Sequence, residues 1–143
     1  MGRRVVLDTN VLVGGLRSRR GAAFGVLSLI GSGAFEQCLS VPLLFEYEEV
    51  LKRPEAGVPL TLEAIETVLD YLAASSDRRQ IHFLWRPVLS DPSDDLVLEV
   101  AVAGGCDTVV TYNVRDFAGS ERFGVRAQTP AQFLASLEKN SPK

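Results

Sequence analysis

The chain opens on a short apolar, β-branched run, Val5-Val6-Leu7, which stops at the acid Asp8 and resumes as an apolar, helix-like segment from Val11 to Leu16. A run without polar alternation is the pattern of a strand covered on both faces, as in a parallel sheet. Asp8 then falls at the strand's carboxyl end, where open α/β sheets carry their ligands. Arg17-Ser18-Arg19-Arg20-Gly21 is a polar break. Ala22 to Ile30 repeats apolar residues at helical spacing (Phe24, Leu27, Ile30) and halts at Gly31-Ser32-Gly33. Gln37 to Val41 predicts a second short strand. Ser40 is placed to cap a helix from Pro42 to Lys52, and Pro42 suits its first turn.

After the turn Gly57-Val58-Pro59, Thr61 with Glu63 and Ala64 opens an amphipathic helix whose positions Ile65, Val68, Leu69 and Leu72 follow the 3.6-residue period down to Ser76. Arg79 to Trp85 alternates as a third strand, with Ile81, Phe83 and Trp85 on one face and Trp85 as a core anchor. Asp91-Pro92-Ser93-Asp94-Asp95 leads into a helix from Leu96 to Ala103, closed by Gly104-Gly105. Thr108 to Tyr112 is a fourth strand, followed by a loop from Asn113 to Phe117. A final short strand, Val125 to Gln128, precedes a capped helix from Thr129-Pro130-Ala131 through Leu137. Strands alternating with helices imply an α/β sandwich with a largely parallel sheet. No repeat, low-complexity tract or long linker interrupts it, so residues 1–138 are expected to form one domain and residues 139–143 a frayed tail.

Composition narrows the class. The chain has 143 residues, 46% apolar and 23% charged, enough for one core that buries about 70% of the unfolded surface. The apolar runs are too short to span a bilayer, and Met1 to Val13 lacks the apolar core and cleavage site of a secretory signal; a soluble, cytoplasmic protein is expected. Fifteen Lys plus Arg against 18 Asp plus Glu leave a net charge of −3, which speaks against a tight, non-specific DNA binder. Of the clusters Arg3-Arg4, Arg17 with Arg19-Arg20 and Arg78-Arg79, the first two flank the Asp8 strand, where either could meet phosphates, although solvated helix ends and loops are the commoner reading of such clusters. Cys38 and Cys106 sit in apolar segments and read as buried free thiols. His82, the only histidine, alternates with Ile81 and Phe83 and reads as structural. A histidine-dependent triad and a zinc site are thereby disfavoured.

Four acids stand where this architecture presents functional groups: Asp8 after the first strand, Glu46 on the first turn or so of the helix after the second, Asp94 at a helix start and Asp116 after the fourth strand. Singly, each has an ordinary explanation as a cap, a solvated helix residue or a loop tie. If the first and fourth strands are neighbours, all four open on the same sheet edge. Three or four carboxylates at close quarters require a counter-charge, and a hard divalent cation, Mg²⁺ or Mn²⁺, suits an all-oxygen site. Such a cluster activates water and stabilises the attacking and leaving oxygens of an in-line phosphodiester displacement.

In this order the pieces resemble the PIN-domain family, and most closely the bacterial PIN proteins regarded as toxins of toxin-antitoxin pairs, the VapC-like ribonucleases. The resemblance rests on Val5-Val6-Leu7-Asp8-Thr9-Asn10-Val11-Leu12, on Ser40-Val41-Pro42 leading to Glu46 and Val50-Leu51-Lys52-Arg53-Pro54, on Asp91-Pro92-Ser93-Asp94-Asp95, and on Val110-Thr111-Tyr112-Asn113 with Asp116-Phe117. It implies a three-layer α/β/α fold with a mainly parallel sheet of four or five strands, and a Mg²⁺- or Mn²⁺-dependent endoribonuclease. Asp8, Glu46, Asp94 and Asp116 carry over as its acids, with Asp91 and Asp95 in reserve for the third. Thr9 or Asn10 would steady Asp8, and Thr111 would orient a water or phosphate. Asn113 stands where many relatives carry an Asp, which leaves Asp116 as the fourth acid. The resemblance also implies a cognate antitoxin and a homodimer or higher homo-oligomer. Two other readings remain: a catalytically weakened PIN-like module that binds RNA or a partner, and a phosphatase of the haloacid-dehalogenase type. The phosphatase needs Asp-x-Asp, and its second position here is Asn10.

Overall fold

The computed structural model describes residues 3–78, 89 and 91–140. At its centre lies β1 (Arg3–Leu7), in which Val5, Val6 and Leu7 are wholly buried on both faces, as an unalternated apolar run requires. On one side β1 pairs in parallel with β2 (Phe35–Leu39), and β2 with β3 (Asp77–Arg78). On the other it pairs in parallel with β4 (Thr108–Val110), which is flanked by β5 (Arg126–Gln128). The order is therefore β3-β2-β1-β4-β5.

Strand ends and cap chemistry decide where the helices begin. Helix α1 (Thr9–Arg17) starts directly after Asp8, two residues ahead of the apolar pattern, and α2 (Ala22–Ser28) follows the polar break. Ser40 accepts a hydrogen bond from the Leu43 N–H at 3.2 Å and so opens α3 (Val41–Leu51); the same choice ends β2 at Leu39 instead of Val41. Thr61 caps α4 (Leu62–Ser75) through the Ala64 N–H at 3.1 Å. Asp91 accepts from the Ser93 N–H at 2.8 Å, and with Pro92 as the first helical residue α5 (Pro92–Ala103) starts four residues before Leu96. Asp94 thus sits inside the first turn, and the cap is Asp91. Helix α6 (Pro130–Asn140) runs past Leu137. The expected strand Arg79 to Trp85, with His82 and Trp85, lies outside the described residues; its described flank, Asp77–Arg78, supplies β3.

Right-handed crossovers that step in opposite directions put their helices on opposite faces. The step from β1 to β2 carries α1 and α2, and the step back from β3 to β4 carries α5, which gives three α/β/α layers. Helix α5 packs on β1, β2 and β4, while α6 packs on β5 and α2. The two directions diverge between β1 and β4, the crevice where open α/β sheets bind ligands.

The two arginines of β1 hold its other end. Arg3 donates to Asp107 (2.8 Å), Ser136 (3.0 Å) and Thr108 (2.7 Å), and stacks its guanidinium 5.2 Å from the Phe133 ring centroid. Arg4 pairs with Asp77 at 2.7 Å and Glu36 at 2.9 Å and donates to the Gly104 carbonyl. Neither is available to a phosphate at the carboxyl end, which corrects the expectation for this cluster. Cys38 and Cys106 are buried free thiols, as expected.

One side chain ties α3 to the end of β1. Tyr47 is fully buried, and its hydroxyl donates to the Leu7 carbonyl, one residue before Asp8. Burial, with the nearby Asp8 charge, pushes the phenol pKa up and keeps it a donor. Tyr47→Phe should leave that carbonyl without this partner and lower stability by ~1–3 kcal/mol in urea titration, with the helix and strand content by circular dichroism unchanged.

Candidate active site

At the carboxyl ends of β1 and β4 a cavity of about 520 Å³ opens. Asp8, Glu46, Asp94 and Asp116, which come from four separate segments, all line it. The β1–β4 register aligns Leu7 with Val110, and the ladder continues one step further as the Asp8 N–H donates to the Val110 carbonyl at 2.9 Å. Asp8 stands at the N-cap of α1 yet makes no side-chain cap bond. Its Oδ2 instead accepts the Thr111 hydroxyl at 2.7 Å. Thr111 in turn accepts the Asn113 N–H at 3.0 Å, and so presents its proton to Asp8. Asn10 sits beside this group, its Nδ2 3.5 Å from the Thr111 oxygen and its Oδ1 accepting the Tyr112 N–H at 3.3 Å, which ends β4 at Val110.

Glu46 lies on the second turn of α3, next to the buried Tyr47, and its Oε2 accepts the Thr9 hydroxyl at 2.8 Å. Thr9 therefore steadies Glu46 with its side chain, while only its backbone N–H serves Asp8. The support expected of Thr9 or Asn10 for Asp8 comes from the backbone N–H of Thr9, and it is joined by the side chain of Thr111. Asp94 and Asp95 part company. Asp94 faces the cavity; Asp95 is buried and accepts the Leu89 N–H at 3.0 Å. Asp91, the cap, stands at the rim. Asn113 lines the cavity beside Asp116, which is carried by a single 3₁₀ turn, Val114–Phe117, anchored by buried Phe117.

Electrostatics follow from this crowding. Burial raises the Asp8 pKa, opposed by the Thr111 and Thr9 hydrogen bonds and reinforced by Glu46 and Asp116. Asp94 is pushed up to about 7, first by desolvation and then by Asp8, Asp91, Asp116 and Glu46. The donor set is all oxygen, as a hard divalent cation prefers, and the charge excess is of the sign a cation relieves. Among the described residues, however, no three acidic, His or Cys side chains stand close enough together to hold an ion as placed. Neither the Asp94 nor the Asp116 carboxylate is held by a hydrogen bond among the described residues, so rotation of these two is what a tighter set would take.

Tyr112, only the end of a strand in the sequence, carried no chemical assignment there, whereas Arg17 belonged to a basic cluster expected near phosphates. Tyr47 was invisible as a tie, because an apolar helix face hides which of its residues reaches a strand end.

A family model for the PIN domain matches residues 4–115. No curated protein matches the chain in sequence. A chain in the crystal structure of VapBC2 from Rickettsia felis bound to a DNA fragment from their promoter is similar in fold, with a TM-score of 0.57 at 17% identity, over 88% of this chain and 98% of that one.

The raised carboxyl pKa values set a stability profile. A carboxylate whose folded pKa exceeds its unfolded value destabilises the fold once ionised, so stability is greatest below pH ~3.8 and is lost as pH rises through about 7. Because Asp94 is only half-buried, solvent screens most of this penalty, and about 1 kcal/mol is expected to remain. In EDTA at pH 8, Asp94→Asn should therefore melt ~2–4 °C above the wild type, with the gap closing steadily toward pH 4 in calorimetry.

Proposed function

The chain belongs to the PIN domain family, and on that premise we propose that it is a Mg²⁺- or Mn²⁺-dependent endoribonuclease, the toxin of a toxin-antitoxin pair, built as one domain over residues 1–138. The observation that carries the reading is the meeting of Asp8, Glu46, Asp94 and Asp116 in one cavity at the sheet's switch point. Family enzymes generally work with divalent metals, and such an ion, when bound, activates water and offsets charge at the scissile phosphate. Asp8, Asp94 and Asp116 are its proposed ligands, with Glu46 completing the set.

The chain's own residues do the positioning. Thr111 holds Oδ2 of Asp8 at the cavity wall. Thr9 does the same for Glu46. Asp94 must lose its proton before it can act as a ligand, so cation affinity should fall as the pH drops below about 7. Asn113 contributes a neutral amide beside Asp116, which lowers the charge the site must compensate. The similar fold in a VapBC2 structure supports a partner antitoxin, and the exposed apolar side chains Val41, Phe45 and Leu62 are suited to protein contact in that complex or in a homo-oligomer.

The wide spacing of the acids favours a second reading, a weakened module that binds RNA or a partner without cutting. One experiment separates the two. Purified protein should cleave a mixed RNA pool with Mg²⁺ or Mn²⁺, stop in EDTA, and lose on the order of 100-fold in kcat/KM in Asp8→Asn with unchanged circular dichroism. RNA binding without cleavage under either metal would select the module, and full cleavage by Asp8→Asn would remove the carboxylates from the mechanism.

A further inference from the structure

The acidic cavity has one basic side chain among its described lining residues, Arg17, on the last turn of α1. Arg3 and Arg4 are engaged by carboxylates at the far end of β1, whereas Arg17 is exposed and makes no ion pair among the described residues. Its guanidinium lies near Gly57, with Nε 3.7 Å and Cζ 4.0 Å from where a Cβ would stand, and the residue lines the cavity.

One helical turn earlier, on the same face of α1, stands Gly14. The ring of Tyr112 lies directly over it: a Cβ at position 14 would come within 3.0 Å of a ring carbon and 3.1 Å of the hydroxyl oxygen. The backbone of Tyr112 is clamped by Asn10 at 3.3 Å, yet the side chain is 47% exposed. A seated, half-exposed aromatic ring thus lines the same cavity as a cation that has no ion pair among the described residues, beside the four carboxylates.

Charge makes the pairing purposeful. A divalent ion offsets the scissile phosphate alone, and the next phosphate along a strand would meet the acids unshielded. Arg17 is the group at hand to receive it, with a planar fork that fits phosphate oxygens. A base can lie on the Tyr112 ring only if it is unpaired, which is how aromatic side chains take single strands. Resting on the nuclease reading above, we propose that Arg17 and Tyr112 form a nucleotide subsite beside the four acids, Arg17 binding the phosphate next to the scissile one and Tyr112 stacking an unpaired base.

The test uses the full chain, a short labelled RNA strand, its duplex and the matching DNA strand. Cleavage is followed in Mn²⁺ and binding by anisotropy in Asp8→Asn. Arg17→Ala should raise KM and Kd about tenfold with kcat within about twofold, and should flatten the dependence of log Kd on log salt by ~0.7, while Arg17→Lys recovers most of the affinity. Tyr112→Leu should raise KM about tenfold and remove the preference for strand over duplex; Tyr112→Trp should restore both. Loss of kcat at unchanged KM and Kd in these variants would overturn the subsite, as would equal use of duplex by the wild type. Cleavage of DNA as readily as RNA would overturn the choice of RNA. If the wild type cuts nothing, the nuclease reading fails by itself. The binding arm then decides the subsite: weakened RNA binding in Arg17→Ala and Tyr112→Leu supports it, and unchanged binding sinks it.

Discussion

Everything at the carboxyl edge of the sheet depends on the register between β1 and β4. With Leu7 opposite Val110, the next rung brings the Asp8 N–H to the Val110 carbonyl and the Asp8 carboxylate to the Thr111 hydroxyl. A slip by one residue would carry Asp8 into the buried slot of Leu7, where an ionised carboxylate has no partner. The complete burial of Val5, Val6 and Leu7 is what forbids that slip. The strongest constraint on the polar site is thus an apolar one.

The same logic extends outward through hydroxyl groups. Thr111 orients Asp8, Thr9 orients Glu46, and the Tyr47 hydroxyl fastens the helix bearing Glu46 to the last carbonyl of β1. Each is neutral, so each can hold a carboxylate or a strand end without cancelling the charge of the cavity. Arginines do the opposite work at the other end of β1, where Arg3 and Arg4 neutralise Asp107, Asp77 and Glu36 in structural pairs. The molecule keeps its pre-neutralised charges away from its uncompensated ones. Asp94, pushed up to about 7, registers the cost of that separation.

Much of this was legible residue by residue. The β-branched run before Asp8, the caps Ser40 and Thr61, and the strand at Thr108 are local signals, and the structure follows them to within a few residues. Misplaced boundaries have local causes too: Pro92 with Asp91 as cap drew α5 forward, and Ser40, read as both strand and cap, proved to be the cap alone. Asp8, Asp94 and Asp116 could be nominated because each follows a strand or opens a helix, and Glu46 because it lies near the start of the helix after the second strand. Which hydroxyl served which acid could not, since Thr9 and Thr111 are equally plausible donors until the sheet order is known.

The sequence by itself determined the order of elements, the parallel α/β class and the location of Asp8 at a strand end, because hydrophobic period and capping chemistry act over a few residues. Tertiary structure alone decided that Asp94 enters the cavity while Asp95 turns to the Leu89 N–H, although the two are adjacent in the chain and identical in type. It alone set Tyr112 on Gly14 and left Arg17 without a carboxylate partner among the described residues. These outcomes depend on pairings between segments far apart in the chain, such as the 103 positions that separate Asp8 from Thr111, and no local pattern encodes them.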